Sequence, residues 1–101
     1  MTKWLILNNT TMKHMENKNM EQHKYDLKIY NGRVKIYVDG YVMFCFNQID
    51  FKGYYSYKDD TDLYGIDVYL MNEKGGATTM EIYFKTKYNW LNILKLLDTH
   101  L

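Results

Sequence analysis

Two lysines that face each other on a predicted hairpin form the first group of residues with a shared chemistry. Lys28 and Lys35 pair across the two strands, Arg33 lies beside them, and two tyrosines, Tyr30 and Tyr37, are interleaved with the charges. Positive charge interleaved with aromatic rings is typical of surfaces that bind single-stranded nucleic acid. Directly opposed lysines repel each other and destabilise the hairpin, so a bound anion would reduce this repulsion. Lys28, Arg33 and Lys35 therefore predict nucleic-acid or anionic-headgroup binding as an alternative function, beside the ordinary interpretation of a solvated charged face.

A second group is acidic and aromatic. Residues 59–76 carry five carboxylates and one lysine, and the first three of these acids follow a run of tyrosines. Tyrosine is enriched at the energetic centres of protein interfaces, and an acidic loop suits a basic partner. We therefore expect a protein-contact site within residues 54–64. Its members are Tyr54, Tyr55, Tyr57, Asp59, Asp60, Asp62 and Tyr64.

The acidic loop does not predict a calcium site. Asp60, Asp62 and Gly65 match the first, third and sixth positions of an EF-hand loop. Tyr64 and Met71 stand where the fifth and the bidentate twelfth ligands belong, and neither side chain can supply the oxygen required.

Soft metal ligands occur near the start of the chain. Met12 and Met15, like Met20 and His23, are three residues apart, a spacing that would bring them together on a helix and could hold Cu(I). Methionines on one helical stripe more often pack, so no metal and no cofactor is predicted.

The nucleophilic side chains do not form a catalytic pattern. Cys45 is predicted to point into the core, which makes it an inert thiol. His14, His23 and His100 lie near the ends of the chain, and Ser56 sits among tyrosines without a nucleophile elbow. The sequence therefore predicts a protein that is not an enzyme.

The composition indicates one small folded domain. The 101 residues suffice for a single core, 47% of them are hydrophobic, and the net charge of +1 selects no class of partner. No apolar run is long enough to cross a bilayer and no signal-peptide core is present, so a cytoplasmic protein is expected. A single cysteine agrees with a reducing compartment. Abundant lysine, asparagine and tyrosine without proline indicate AT-rich coding, and hence a bacterium, phage or mobile element.

Two glycine-containing turns set the predicted register of the first three strands. Asn31-Gly32 and Asp39-Gly40 are typical of two-residue type I′ hairpins, which need positive φ at both central positions. The first turn places a set of apolar residues on one face, namely Tyr25, Leu27, Ile29, Val34, Ile36 and Val38. The second turn pairs Tyr37 with Val42, and continuing that register puts a second apolar set, Val42, Phe44 and Phe46, on the charged face. Tyr41, Met43 and Cys45 would then join the core. Phe44 and Phe46 would need a cover, which a curled sheet, the N-terminal segment or a partner could supply, and a homodimer through this face is one such arrangement.

The rest of the chain is predicted to form three further strands and a helix. A fourth strand over residues 49–58 is broken or bulged at Lys52-Gly53. Strands over residues 64–71 and 78–84 alternate cleanly, and Asn89 is predicted to cap a C-terminal amphipathic helix. The apolar stripe of that helix is Trp90, Ile93, Leu94, Leu97 and Leu101.

Residues 1–24 differ from the rest and form an extension of uncertain structure. Trp4–Leu7 suits a short strand or an anchoring plug, and residues 10–24 allow a short helix capped by Thr10 or Thr11. The predicted fold of the single domain 1–101 is therefore α+β and mainly β. It is a strongly bent antiparallel sheet of about six strands with one C-terminal helix.

Residues 25–99 resemble a bacterial pleckstrin-homology-like domain. The resemblance rests on six antiparallel strands, on the step Phe46-Asn47-Gln48-Ile49-Asp50 after the third, and on a hairpin leading into an amphipathic helix. It implies a bent sheet or barrel plugged by the helix, acting as a binding scaffold without catalysis. Lys28 and Arg33-Val34-Lys35 are similar to part of the basic motif of lipid-binding members. The tight two-residue turn between these strands departs from that motif and disfavours phosphoinositide binding.

These observations predict a small non-enzymatic protein-binding module or inhibitor that acts by protein–protein contact through residues 54–64. A phage or mobile-element origin suits its size and composition.

Overall fold

The computed structural model describes residues 10–15, 22–58 and 60–101, and within them the chain is mainly β with one C-terminal helix, as predicted. The strands, however, number seven and form two sheets, of order β1-β7-β6-β5 and β2-β3-β4, instead of one bent six-stranded sheet. No backbone pairing joins the two sheets into a closed barrel within these residues. The elements are β1 (Thr10–Met15), β2 (Tyr25–Tyr30), β3 (Arg33–Val38), β4 (Tyr41–Asn47), a 3₁₀ turn (Gln48–Asp50), β5 (Phe51–Lys58), β6 (Tyr64–Met71), β7 (Ala77–Phe84) and α1 (Lys87–His100).

Both predicted type I′ turns are confirmed. The φ angles are 50° at Asn31, 73° at Gly32, 51° at Asp39 and 86° at Gly40, so both central positions of each turn are left-handed. The β2–β3 register is also the predicted one, with Lys28 directly opposite Lys35. Most of the predicted inner face is buried, and Ile29 near the turn is the exception at 37% exposed. Local turn chemistry therefore fixes the first hairpin.

The β3–β4 register departs from the prediction because β4 contains a bulge. Tyr37 pairs with Val42 as expected, but Ile36 then pairs with Phe44, so Met43 is an extra residue. One inserted residue moves every later side chain of the strand to the opposite face. Phe44 is accordingly 5% exposed and lies in the core.

The prediction for the two faces of β4 was wrong at four positions. The bulge accounts for Phe44, Cys45 and Phe46, whereas Tyr41 precedes it and lies next to the turn. Phe46, like Phe44, is 5% exposed, which leaves neither ring available for the expected homodimer face. Cys45 is half-buried on the outer side, opposite Lys35, and Tyr41 is 78% exposed. Met43 packs against the core and Val42 is exposed, as predicted. Burying a phenylalanine contributes about 1.5–3 kcal/mol, which offsets the disrupted ladder.

Within the N-terminal extension, residues 10–15 form a strand and residues 22–24 have no regular secondary structure, so the predicted helix over residues 10–24 is wrong for these described residues. Thr10–Met15 runs parallel to β7, from Thr10 beside Thr78 to Met15 beside Tyr83. The edge of β7 offers β1 backbone hydrogen-bond partners, and this tertiary pairing overrides a weak local preference for helix. Trp4–Leu7 and Met20 lie outside the described residues.

The four-stranded sheet otherwise follows the sequence closely. β6 has the predicted bounds, and β5 has the predicted irregularity, since its register shifts between Phe51 and Gly53. Ile49 is the difference: it belongs to the 3₁₀ turn and is 83% exposed. The inward residues of β6 and β7 form the centre of the core. These are Ile66, Val68, Met80, Ile82 and Phe84, all 0% exposed.

The C-terminal helix begins earlier than predicted. Thr86 is the N-cap, and its hydroxyl accepts a hydrogen bond from the Asn89 backbone N–H at 3.3 Å. Asn89 is therefore inside the helix and fully buried, so the prediction that it caps α1 was wrong. The predicted apolar stripe is confirmed, with Ile93 and Leu97 buried and its other members packed against the core.

The bulge can be tested by truncating the rings it buries. Phe44→Ala is expected to lower the free energy of unfolding by about 3–5 kcal/mol, the usual cost of removing a buried phenylalanine. Val42→Ala is the control, because Val42 is 51% exposed on the same strand and should change stability by about 0.5 kcal/mol or less. Urea unfolding measures both. If Phe44→Ala and Val42→Ala lowered the free energy of unfolding by equally small amounts, the register described here would be wrong.

Candidate functional site

The outer face of the four-stranded sheet gathers tyrosines and carboxylates from three strands. Since β6 alternates, Ile66 and Val68 point inward while Asp67 and Tyr69 point outward. Asp67 is opposite Tyr55 on one side and Glu81 on the other. We call this surface the tyrosine–carboxylate face. Its residues are Tyr55, Tyr57, Asp67, Tyr69, Glu81 and Tyr83.

Gly65 makes room for the central ring of the face. It is paired with Tyr57, and a Cβ at Gly65 would lie 2.5 Å from two carbon atoms of the Tyr57 ring. The ring thus lies over the glycine. It stacks on Tyr55 with centroids 5.8 Å apart and meets Tyr83 edge-on at 6.3 Å.

The hydroxyls of the face are tied to its carboxylates. Tyr57 Oη donates to Asp67 Oδ1 at 3.0 Å, and Tyr83 Oη donates to Glu81 Oε1 at 3.0 Å. Glu81 also faces Lys13 Nζ at 3.7 Å. These bonds hold the rings in place, and the carboxylates keep negative charge on the face.

The surroundings of Tyr57 and Tyr69 disfavour ionisation of their hydroxyls. Burial raises the pKa of Tyr57, and its hydrogen bonds with Tyr83 and Asp67 add to the increase. Burial also raises the pKa of Tyr69, helped by the negative charge of Asp67. The Tyr57 hydroxyl therefore stays protonated at physiological pH and keeps donating to Asp67.

The structure divides the predicted contact residues between two sides of the sheet. Tyr55 and Tyr57 belong to the tyrosine–carboxylate face, whereas Tyr54 and Tyr64 pack against the core. Tyr54 donates to Asp98 of α1, and the ring centroid of Tyr64 is 5.1 Å from that of Trp90. Tyr54 and Tyr64 thus serve mainly to seat the helix. Of the four tyrosines predicted, only half lie on the open face.

The acidic loop borders the face at one end. Asp60 and Asp62 are exposed, and Asp62 Oδ1 is 3.4 Å from Lys58 Nζ. Asp59 lies outside the described residues. The loop follows the strand end that carries Tyr57, so it extends the acidic surface in that direction.

Sequence reasoning missed Asp67, Tyr69, Glu81 and Tyr83 as members of the site. The sequence did indicate that these side chains point outward, because strand alternation that points Ile66, Met80 and Ile82 inward points their neighbours outward. What the sequence does not supply is the adjacency of β5, β6 and β7 in one sheet.

The predicted basic residues are brought together on the outer face of the three-stranded sheet. Lys28, Lys35 and Arg33 are all exposed there. Lys28 Nζ is 5.4 Å from the centroid of the Tyr37 ring. Arg33 Nη1 donates to Asn47 Oδ1 at 2.9 Å, and Nη2 contacts Cys45 Sγ at 2.7 Å. We call this surface the basic face.

A histidine–aspartate pair that the sequence did not predict joins the chain before β2 to the second turn and to α1. His23 Nδ1 lies 2.7 Å from Asp39 Oδ2, and the Lys24 backbone N–H donates to Asp39 Oδ1 at 2.8 Å. The His23 backbone N–H donates to Asn89 Oδ1 at 3.0 Å. The Lys24 backbone bond, followed by the His23 side chain, lowers the pKa of Asp39. The pair therefore holds three elements together.

The methionine spacing does not make a metal site in β1. Because residues three apart on a strand point to opposite faces, Met12 and Met15 do not converge. Within residues 10–15, 22–58 and 60–101, no three His, Cys, Asp or Glu side chains are grouped to hold a metal ion.

Comparison with known proteins gives no relative. The chain matches no protein-family model, and no curated protein or solved structure is significantly similar to it. The likeness to pleckstrin-homology-like domains stays a prediction. Among the helices of the described residues, none has the length and apolarity needed to span a membrane.

The contact between Gly65 and Tyr57 predicts a specific coupling. Gly65→Ala is expected to cost about 1–3 kcal/mol in the free energy of unfolding, because the new methyl group displaces a packed ring. In a Tyr57→Ala background the same change should cost much less, since the ring is gone. A urea-unfolding double-mutant cycle measures the difference. Equal costs in both backgrounds would show that the ring does not lie over Gly65.

Asp39 predicts a loss of stability in acid. Its lowered folded pKa means that its contribution is present above the unfolded value of about 3.9 and disappears as pH falls through the folded pKa. Asp39→Asn keeps a residue that tolerates positive φ but removes the charge. As the pH is lowered from about 6 to about 2, the free energy of unfolding should therefore fall less steeply in Asp39→Asn than in the wild type. Asp60→Asn, in the exposed loop, is the control and should follow the wild type. The role of the pair would be refuted if the free energy of unfolding of Asp39→Asn fell with pH as steeply as that of the wild type.

Proposed function

We propose that this chain is a non-enzymatic protein-binding module whose tyrosine–carboxylate face contacts a basic surface of another protein. The observation that carries the proposal is the assembly of four tyrosines and two carboxylates on one open sheet face. The resemblance to a binding scaffold, the small size and the coding bias also suit an inhibitor from a phage or mobile element.

The exposure of the rings supports contact with a partner. Tyr55 is 60% exposed and Tyr69 is 41% exposed. The apolar side chains of Met15 on β1 and Met71 on β6 are exposed at 56% and 45% on the same face. Tyrosine offers a large contact area at a low cost in side-chain entropy. Rings that are already held by Asp67 and by one another lose little further freedom on binding.

The dimensions of the sheet imply that the acidic loop takes part. Four strands spaced about 4.8 Å apart make a platform roughly 15 Å wide. A stable interface buries about 800 Å² on each partner, more than such a platform provides in its central rows alone. The loop with Asp60 and Asp62 lies next to the platform and supplies the adjoining surface.

The charges specify the kind of partner. The carboxylates of the face and loop are Asp60, Asp62, Asp67 and Glu81. Glu81 is paired with Lys13 and Asp62 with Lys58, which leaves an excess of negative charge in this set. The excess of negative charge favours a surface that bears lysine or arginine and speeds its association at low salt.

Binding through this face should be lost on truncating its most exposed rings. Tagged wild-type protein would be used to capture proteins from a bacterial extract, and each captured protein would be purified and titrated by calorimetry. Tyr55→Ala with Tyr69→Ala should weaken its affinity at least about tenfold, as expected when interface tyrosines are removed. Tyr41→Ala with Tyr88→Ala is the matched control, because these tyrosines are exposed at 78% and 52% elsewhere on the molecule.

A second pair of variants tests the charge. Asp67→Asn with Glu81→Gln should reduce both the affinity and its dependence on salt, since the partner surface is expected to be basic. The proposal fails if the wild type enriches no protein, or if the face variants bind a captured protein as tightly as the control does.

A further inference from the structure

The basic face carries positive charge that the described residues do not neutralise. Lys28 and Lys35 are directly opposite each other, and neither forms an ion pair with a carboxylate in the part of the chain that the structure describes. The one acid of β2, Asp26, lies opposite Tyr37 on this face and forms no ion pair with either lysine, and its Oδ1 accepts from the Leu27 backbone N–H at 2.8 Å. Like charges paired across strands are destabilising, so this arrangement costs stability unless an anion binds.

Arg33 is oriented for contact with an oxyanion. Its two terminal nitrogens contact Asn47 and Cys45, which fixes the plane of the guanidinium group while the residue stays exposed. A guanidinium has five N–H donors, so about three remain available. They lie one row along the sheet from the paired lysines, because Arg33 and Lys35 are two residues apart on β3.

Aromatic rings occupy the rows on either side of the lysine pair. Tyr30 pairs with Arg33 and is 78% exposed. Tyr37 lies in the row beyond Lys28, whose ammonium group sits 5.4 Å from its ring centroid. Alternate residues on a strand are about 7 Å apart. The rows along this face are therefore Tyr30 with Arg33, then Lys28 with Lys35, then Tyr37 with Asp26.

We infer that the basic face binds single-stranded nucleic acid. Phosphates would contact Lys28, Lys35 and Arg33, and bases would stack on Tyr30 and Tyr37. The combination favours this occupant because a single strand carries both repeated negative charge and flat rings, whereas a lipid headgroup uses only the cations. An acidic protein surface would not use the regular alternation of cation and ring.

The inferred site is independent of the protein-binding proposal. The basic face is the outer side of the three-stranded sheet, and the tyrosine–carboxylate face is the outer side of the other sheet, with the buried residues of both sheets between them. The two ligands would therefore bind on opposite sides of the core without overlap.

The experiment is a fluorescence-anisotropy titration of a labelled oligo(dT) of about 15 nucleotides, a length within the range of small single-strand sites. Measured between about 50 and 200 mM salt, the wild type should bind with a slope of log K against log salt near −2, since each of three neutralised phosphates contributes about −0.7. Lys28→Gln with Lys35→Gln should reduce the slope to about −0.7 and weaken binding at least tenfold at the lowest salt. Lys87→Gln with Lys95→Gln is the control of equal net charge. Both of its lysines are exposed on α1, and the slope should stay at the wild-type value.

Tyr30→Ala tests the stacking contacts separately. It should weaken binding by about tenfold with no change in the salt slope, because a ring contributes without releasing counterions. Circular dichroism confirms that each variant is folded, which is expected because all the substituted positions are exposed.

Three results would overturn the inference. The first is no salt-dependent binding by the wild type. The second is equal weakening by the basic-face pair and the helix pair, which would indicate attraction by net charge only. The third is full binding by Tyr30→Ala together with equally tight, Lys28- and Lys35-dependent binding to vesicles of phosphatidylserine, which would assign the face to anionic headgroups.

Discussion

The extra residue at Met43 in β4 is the constraint on which the surfaces of this protein depend. Without it, Phe44 and Phe46 would project beside Lys35, and Cys45 would enter the core. With it, both rings pack between the sheets, where Phe46 stacks near Phe51 and Phe44 lies near His14 of β1. A bulge weakens a few ladder bonds locally, and the burial of two aromatic rings outweighs that cost.

The same constraint separates two unlike outer faces. Once the phenylalanines are buried, the outside of the three-stranded sheet is left with lysines, one arginine and tyrosine rings. The outside of the four-stranded sheet carries tyrosines tied to carboxylates. A net charge of +1 conceals this division, because basic groups predominate on one outer face and carboxylates on the other. Function is therefore better argued from each face than from the overall composition.

Features that depend on neighbours in sequence could be predicted. Both type I′ turns, the β2–β3 register, the bounds of β6 and the stripe of α1 follow from local turn chemistry and periodicity. Features that depend on distant partners could not. β1 is a strand because β7 offers it an edge, and β4 is bulged because its rings reach a core built from other strands. Asn89 looked like a cap, yet it is buried and accepts from the His23 backbone N–H, a contact 66 residues away in sequence.

The candidate site was predictable to a similar extent. Lys28, Arg33 and Lys35 were found because they lie on one hairpin whose register is local. Only Tyr55 and Tyr57 of the tyrosine–carboxylate face were found, because Asp67, Tyr69, Glu81 and Tyr83 join them through strand adjacency. The inward–outward alternation of side chains could be predicted for each strand, but the order of the strands in the sheet could not.

The most direct test of the β4 register is the reactivity of Cys45, the single cysteine of the chain. Its thiol can be titrated with Ellman's reagent in the folded protein and in the unfolded chain. The register described here leaves the thiol half-buried on the outer side, so it should react with the reagent in the folded protein. Ile66→Val is expected to unfold faster, and the reaction rate of Cys45 should stay the same in this variant. A thiol that reacts only as fast as the protein unfolds, and faster in Ile66→Val, would place Cys45 in the core and contradict the account.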